Sequence, residues 1–220
     1  MKTRLLLIVV LLAALLSACQ PSAPTFTGKW TGNVALVTLT QNGDQVTGSV
    51  EGYGGQWTFN ITGTVSGSTL TFDGDTPLGP LAIVLSADGE TFRSADPATS
   101  FCGSRKAALP AGCGFSGNWN LKSNLVPAGS VAKLTQTGSS VTGAIYGPDG
   151  AKLTPLDATV GWGKGWRAEG TNDWGGFTLS ITADEKAFQI MVDNTPPAEW
   201  CGLREGETSA YVFYFTCSIP

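Results

Sequence analysis

The sequence contains no histidine. That absence removes the Ser–His nucleophile pair, His-ligated zinc and the only side chain that ordinarily titrates near neutral pH. Charge is sparse: 14% of residues are ionisable Asp, Glu, Lys or Arg, and 13 basic groups face 17 acidic ones. Nucleic acid is bound by clustered Lys and Arg that displace counterions, so an acidic, charge-poor chain is excluded from that class. Beyond residue 16 there is no long apolar run, and the one at the start, Leu5 to Leu16, is shorter than the roughly 17–25 residues of a membrane-spanning helix. Nor is there helical periodicity outside that run, so no glycine loop leads from a strand into a helix to cradle phosphate. Between Asp44 and Asp96 the acids are too dispersed for a calcium loop. Neither a metal nor a cofactor is expected.

The N-terminus is the most informative segment. Lys2 and Arg4 precede the apolar run, and Ser17-Ala18-Cys19 follows it. A basic start, an apolar core of about a dozen residues and small residues at a cut describe a secretory signal. Leu16-Ser17-Ala18-Cys19 resembles the lipobox of bacterial lipoproteins. That resemblance implies cleavage before Cys19, acylation of Cys19 and attachment to membrane lipid. Residues 1–18 are then the signal peptide, and residues 19–25 the lipidated cysteine with a polar, proline-containing tether. In lipoprotein sorting a residue other than Asp after the cysteine favours the outer membrane. The resemblance therefore implies a mature chain that is anchored and extracytoplasmic, on the cell membrane or, by Gln20, the outer membrane. Loss of Lys2 and Arg4 with the leader makes the mature chain more acidic still.

The remaining composition, with 29 Gly, frequent Ser and Thr and 10% aromatic residues, suits an all-β protein with many tight turns. The chain is also duplicated. Phe26-Thr27-Gly28-Lys29-Trp30 returns as Phe115-Ser116-Gly117-Asn118-Trp119. Leu39-Thr40-Gln41-Asn42-Gly43 with Val46-Thr47-Gly48 returns as Leu134-Thr135-Gln136-Thr137-Gly138 with Val141-Thr142-Gly143. Ser86-Ala87-Asp88 with Phe92 returns as Thr182-Ala183-Asp184 with Phe188, and Phe101-Cys102-Gly103-Ser104-Arg105 as Trp200-Cys201-Gly202-Leu203-Arg204. Residues 26–114 and 115–220 are the two units.

Within each unit, short runs of β-forming residues alternate with turn residues. Asn42-Gly43 is a hairpin signal, since both residues tolerate positive φ. The predicted strands are 34–41, 45–50, 57–64, 68–72, 81–86 and 91–95, then 131–136, 141–146, 154–160, 166–169, 177–182 and 187–192. Consecutive strands with tight turns favour antiparallel meanders. An open meander exposes long edges, so each unit is expected to be a small barrel or barrel-like sheet.

The repeat also organises the cysteines. With Cys19 acylated, Cys102, Cys113, Cys201 and Cys217 remain, and an even number in an exported chain suggests disulfides. Cys102 and Cys201 are equivalent, and each has one cysteine shortly downstream. The symmetric solution is Cys102–Cys113 and Cys201–Cys217, one staple per unit, each contributing about 3 kcal/mol on chain-entropy grounds.

Each unit opens with Gly-x-Trp and closes with Cys-Gly-x-Arg. This resembles the calycin arrangement of lipocalins and avidins, in which a Gly-x-Trp on the first strand packs against a late arginine. The resemblance implies that Trp30 pairs with Arg105 and Trp119 with Arg204, as scaffold rather than site, with the guanidinium over the indole. The rest of the lipocalin pattern is absent.

Without histidine, and with its thiols bridged, the chain still has carboxylates, and paired Asp or Glu residues can hydrolyse glycosides without histidine. Glu51, Asp73, Asp75, Glu169 and Asp173 are the candidates, and nothing in their spacing separates them from ordinary turn acids. Tryptophan discriminates better. Trp30, Trp119, Trp166 and Trp200 fall at positions apolar in both units and read as core. Trp57 and Trp162 fall opposite Lys152 and Gly67, so the scaffold does not demand them, and Trp174 lies in a loop opposite Leu78. Trp162 and Trp174, with Asn172 and Asp173, form a candidate ligand-facing patch suited to sugars or a partner loop. Alternatively they cap the open end of a barrel. The expected function is a non-catalytic binding module of the cell envelope whose partner is a glycan or an envelope protein. Two other readings are a carrier of a small apolar ligand, as the calycin likeness implies, and an inhibitor of an extracytoplasmic enzyme.

Overall fold

A computed structural model describes residues 24–55, 57–74, 80–123, 126–161, 167–193 and 198–207. Eight strands form the first unit: β1 (Gly28–Gly32), β2 (Ala35–Asn42), β3 (Gln45–Gly52), β4 (Thr58–Ser66), β5 (Thr69–Phe72), β6 (Ala82–Leu85), β7 (Thr91–Ser94) and β8 (Cys102–Ser104). Eight more form the second: β9 (Gly117–Lys122), β10 (Val131–Thr137), β11 (Ser140–Tyr146), β12 (Lys152–Gly161), β13 (Arg167–Asn172), β14 (Gly175–Ile181), β15 (Ala187–Val192) and β16 (Ala198–Arg204). Each set is an antiparallel meander closed into a barrel.

Closure is made by the motif segments. In the first barrel Thr31 pairs with Ser104 and Gly32 with Gly103. In the second, Trp119 pairs with Arg204 and Lys122 with Cys201. These four closing strands were absent from the twelve predicted runs. β1 and β8 are short, at five and three residues, and a glycine interrupts Cys-Gly-x-Arg; β9, by contrast, does alternate, with Trp119 and Leu121 buried between exposed Asn118, Asn120 and Lys122.

Along the longer strands the alternation is clear. Ala35, Val37 and Leu39 of β2 point inward and are buried, while Leu36, Thr38 and Thr40 face solvent. Ala132 and Leu134 do the same on β10. Phe26, Trp30, Phe72 and Phe92 fill the first interior; Trp119, Phe177, Phe188 and Trp200 fill the second. An eight-stranded barrel is just wide enough for such side chains.

Curvature has a specific cause in the repeated Val-Thr-Gly. A Cβ at Gly48 would lie 2.0 Å from the Thr38 carbonyl oxygen, and one at Gly143 equally close to that of Lys133. Only glycine lets the neighbouring strand approach this closely, which is how a meander bends enough to close.

The barrels meet at a junction of polar and apolar contacts. Asn33, Tyr53 and Ser100 lie in turns at the end of the first barrel remote from Arg105. They face the end of the second barrel that carries Trp119 and Arg204. Ser100 N–H donates to the Ala183 carbonyl at 3.0 Å. Gln136 Nε2 donates to the Asn33 carbonyl at 2.7 Å. Tyr53 donates its hydroxyl to the Gly32 carbonyl and packs its ring into the core of the second barrel. The connection between the barrels is pinned by the Cys102–Cys113 disulfide, both of whose cysteines are buried.

Candidate functional site

The two Trp–Arg ends are built alike. Arg105 lies 4.1 Å from the centre of the Trp30 ring, and Arg204 is 4.1 Å from that of Trp119. Arg105 donates to the carbonyls of Gly89, Thr27 and Thr25. Arg204 donates to the equivalent carbonyls of Glu185, Ser116 and Gly114. Each indole N–H donates to the phenylalanine four residues before it, Phe26 or Phe115. Burial lowers the Arg204 pKa to about 10, opposed by the charge of Glu185, so the group remains a cation at neutral pH. With every guanidinium nitrogen bonded to a carbonyl, these arginines hold barrel ends together.

The glycine repeated inside Cys-Gly-x-Arg also has a packing reason. A Cβ on Gly103 would come 2.6 Å from the Phe92 ring, and one on Gly202 would come 2.5 Å from the Phe188 ring. Those phenylalanines in turn meet Trp30 and Trp119 edge-on.

At the opposite end of the second barrel, the β13–β14 turn holds Asn172, Asp173 and Trp174 together. Trp174 N–H donates to Asn172 Oδ1 at 2.9 Å. Its half-buried ring meets the buried Trp200 edge-on, with centroids 4.7 Å apart. Asp173 is exposed and accepts weakly, at 3.5 Å, from Thr154 Oγ1. Two donors here are buried without an acceptor, Asn172 Nδ2 and Trp200 Nε1. Trp162 lies outside the described residues. Gly161 and Arg167, on either side of it, belong to the Trp119–Arg204 end, because β12 and β13 pair up to Gly161↔Arg167 there while Asn172↔Gly175 closes the Trp174 turn. Trp166 is likewise outside. Trp57, which the scaffold alone did not demand, stacks on Phe59 and fills the space over Gly52, against the first core.

The carboxylates are distributed. Glu51 is exposed on β3, Asp73 follows β5 and accepts from the Thr62 hydroxyl, and Glu169 faces outward on β13. Asp75 lies outside the described residues. Among the described residues no group of three or more Cys, Asp or Glu is placed to hold a metal ion. Cys201 is disulfide-bonded, and Cys217, the partner expected from the repeat, is outside the described residues, as is Cys19.

The acid that stands out was not among the candidates. Glu185, in the β14–β15 turn, is 4% exposed and is the one described non-glycine residue with positive φ, 54°. Asn33 Nδ2, from the first barrel, donates to its Oε1 at 2.5 Å. Burial pushes the Glu185 carboxyl above the usual carboxylate range; the Asn33 amide, the Gly114 N–H, Arg204 and Arg93 pull the other way. Beside it runs a cleft of about 460 Å³ between the barrels, whose wall includes Arg93, Ser100, Lys186 and Glu207. A second cleft of about 380 Å³ lies between the connection at Leu109–Ala111 and the outer face of β10 and β11. The sequence held a signal for Glu185: in the aligned repeats it replaces Gly89, a turn glycine. Comparison with protein-family models, with curated proteins and with solved structures found no match for this chain.

Proposed function

We propose that this chain is a non-catalytic binding module of the cell envelope, anchored through acylated Cys19 and binding glycan at the Trp174 end of its second barrel. The observation that carries the reading is the pair of buried, unpartnered donors, Asn172 Nδ2 and Trp200 Nε1, beside the Trp174 ring. A buried N–H without an acceptor costs about 1–3 kcal/mol, and an acceptor from a ligand would recover it. An aromatic face next to amide donors and the Asp173 carboxylate offers apolar area and hydrogen bonds together, which is what a pyranose ring with acetamido and hydroxyl oxygens takes. Carriage of a small apolar ligand is less well supported, because aromatic side chains occupy both interiors. The Trp174 end lies on the side of the second barrel away from the first, whereas Thr25, where the tether ends, is held by Arg105 at the opposite end of the first barrel.

The test uses the soluble Cys19→Ala protein titrated with oligomers of β-1,4-linked N-acetylhexosamine, read by tryptophan fluorescence. Saturable binding is expected, weakened about tenfold or more in Trp174→Ala and in Asn172→Ala. Binding unchanged in both variants sinks the assignment. Stoichiometric uptake of a fatty acid with quenching of the core tryptophans would favour the carrier instead. The anchor is tested separately: Cys19→Ala should move the protein from the membrane fraction to the soluble one without unfolding it.

A further inference from the structure

We infer that Glu185 is an inter-barrel latch: its side chain reaches out of the β14–β15 turn to Asn33 and holds the first barrel on the second. The repeat supplies a built-in control. Gly89 occupies the equivalent turn of the first unit, also at positive φ, 71°, and its carbonyl accepts from Arg105 Nε as that of Glu185 does from Arg204 Nε. The backbone task at this position is therefore done by glycine once and by glutamate once. A non-glycine residue in the left-handed region is strained, and such strain persists where the side chain is held by its surroundings.

What those surroundings are differs between the units in a consistent way. A Cβ at Gly89 would meet Pro24, the end of the tether that precedes the first unit, at 2.9 Å. In the second unit the same turn receives what precedes it, the first barrel. Its partner is equally unrepeated, since Asn33 aligns with Lys122. Asn33 is itself fixed, with Nδ2 also donating to the Ser100 carbonyl at 3.0 Å and its backbone N–H to that of Cys102. Cys102 Sγ lies 3.5 Å from Glu185 Oε2, so the disulfide closes the other side of the carboxyl. A contact assembled from residues that the duplication did not provide is specific to the junction.

The charged groups around Glu185 give the latch a direction. Arg204 faces it from β16 and Arg93 from β7; Asp184 and Lys186 flank it on its own turn, with Lys186 paired to Glu207 at 2.9 Å. Asn33 and the Gly114 N–H contribute no net charge. Desolvation outweighs the two cations, so ionising Glu185 works against the closed junction, which tightens in acid and loosens as pH rises.

The test is hydrogen exchange on the soluble Cys19→Ala protein. The Ser100 amide, bonded across the junction to Ala183, is compared with amides of β2 and β14 inside the barrels. Glu185→Gly, the residue the first unit uses, should lower Ser100 protection about tenfold and leave the barrel amides unchanged. Asn33→Ala should do the same. Glu185→Gln keeps an acceptor without a charge, so it should retain protection and abolish its fall with rising pH, measured relative to the barrel amides. Ser100 protection in Glu185→Gly within twofold of the parent would overturn the latch, and so would an undiminished pH dependence in Glu185→Gln. If Glu185→Gly exposes the barrel amides too, the Glu185→Gln comparison decides alone.

Discussion

Replacing Arg204 with alanine should damage this protein about twice as much as replacing Arg105, although the two arginines share one geometry. Both stand 4.1 Å over an indole and both donate to three carbonyls. Burial separates them. Arg204 is 8% exposed and its three hydrogen bonds are buried, whereas two of the bonds made by Arg105 are exposed. Truncating Arg204 leaves three carbonyls that water reaches poorly. Each costs about 1–3 kcal/mol, less what entering water returns, and the lost cation–π contact adds about 0.5–2 kcal/mol. A total of about 4–6 kcal/mol is expected, comparable with the whole stability of many domains. At Arg105 solvent replaces two of the donors, leaving about 2–3 kcal/mol. Urea denaturation followed by tryptophan fluorescence, with hydrogen exchange to resolve the barrels, reads both numbers. Lysine at 204 should restore little, because an ammonium cannot span three carbonyls in a plane. Equal losses in the two alanine variants, or a loss below about 1.5 kcal/mol for Arg204→Ala, would refute burial as the deciding factor.

Gly202→Ala places a Cβ 2.5 Å from the Phe188 ring. Displacing a packed aromatic should cost about 1–3 kcal/mol, visible as a lowered Tm, and Gly103→Ala against Phe92 should match it. Cys102→Ala/Cys113→Ala opens a loop of sequence separation 11 and should cost about 3 kcal/mol by urea unfolding; no loss would mean that the connection is ordered by its own contacts. The raised carboxyl of Glu185 predicts the sign of one pH effect. Between the ordinary glutamate pKa of about 4.3 and its shifted value, the folded state binds more protons than the unfolded one. This group's contribution is therefore fully present below that ordinary pKa and is lost as pH rises through the shifted one. The Tm of the parent minus that of Glu185→Gln should fall with pH over that window; a difference that is flat or rises would count against it.

The all-β class, the division into two units and the Cys102–Cys113 bridge are all properties of the chain read by itself. Alternation along β2 and β10 separates inside from outside, turn residues mark the hairpins, and the duplication aligns the motifs, because each depends on spacing within a short stretch of chain. Trp174, Asn172 and Asp173 are neighbours in sequence, so their grouping was equally visible. Other features depend on contacts between distant residues. Closure by β1 with β8 and β9 with β16 joins residues more than seventy positions apart, and no local pattern announces it. The orphaned Nε1 of Trp200 is a property of the packed core, which leaves a buried donor facing no acceptor. Glu185 is the sharpest case. In the sequence it is one acid following Asp184 in a turn, where acids are common. The fold of two barrels against each other removes it from water, bends its backbone into the region its counterpart reserves for glycine, and brings Asn33, 152 positions away, to its carboxyl.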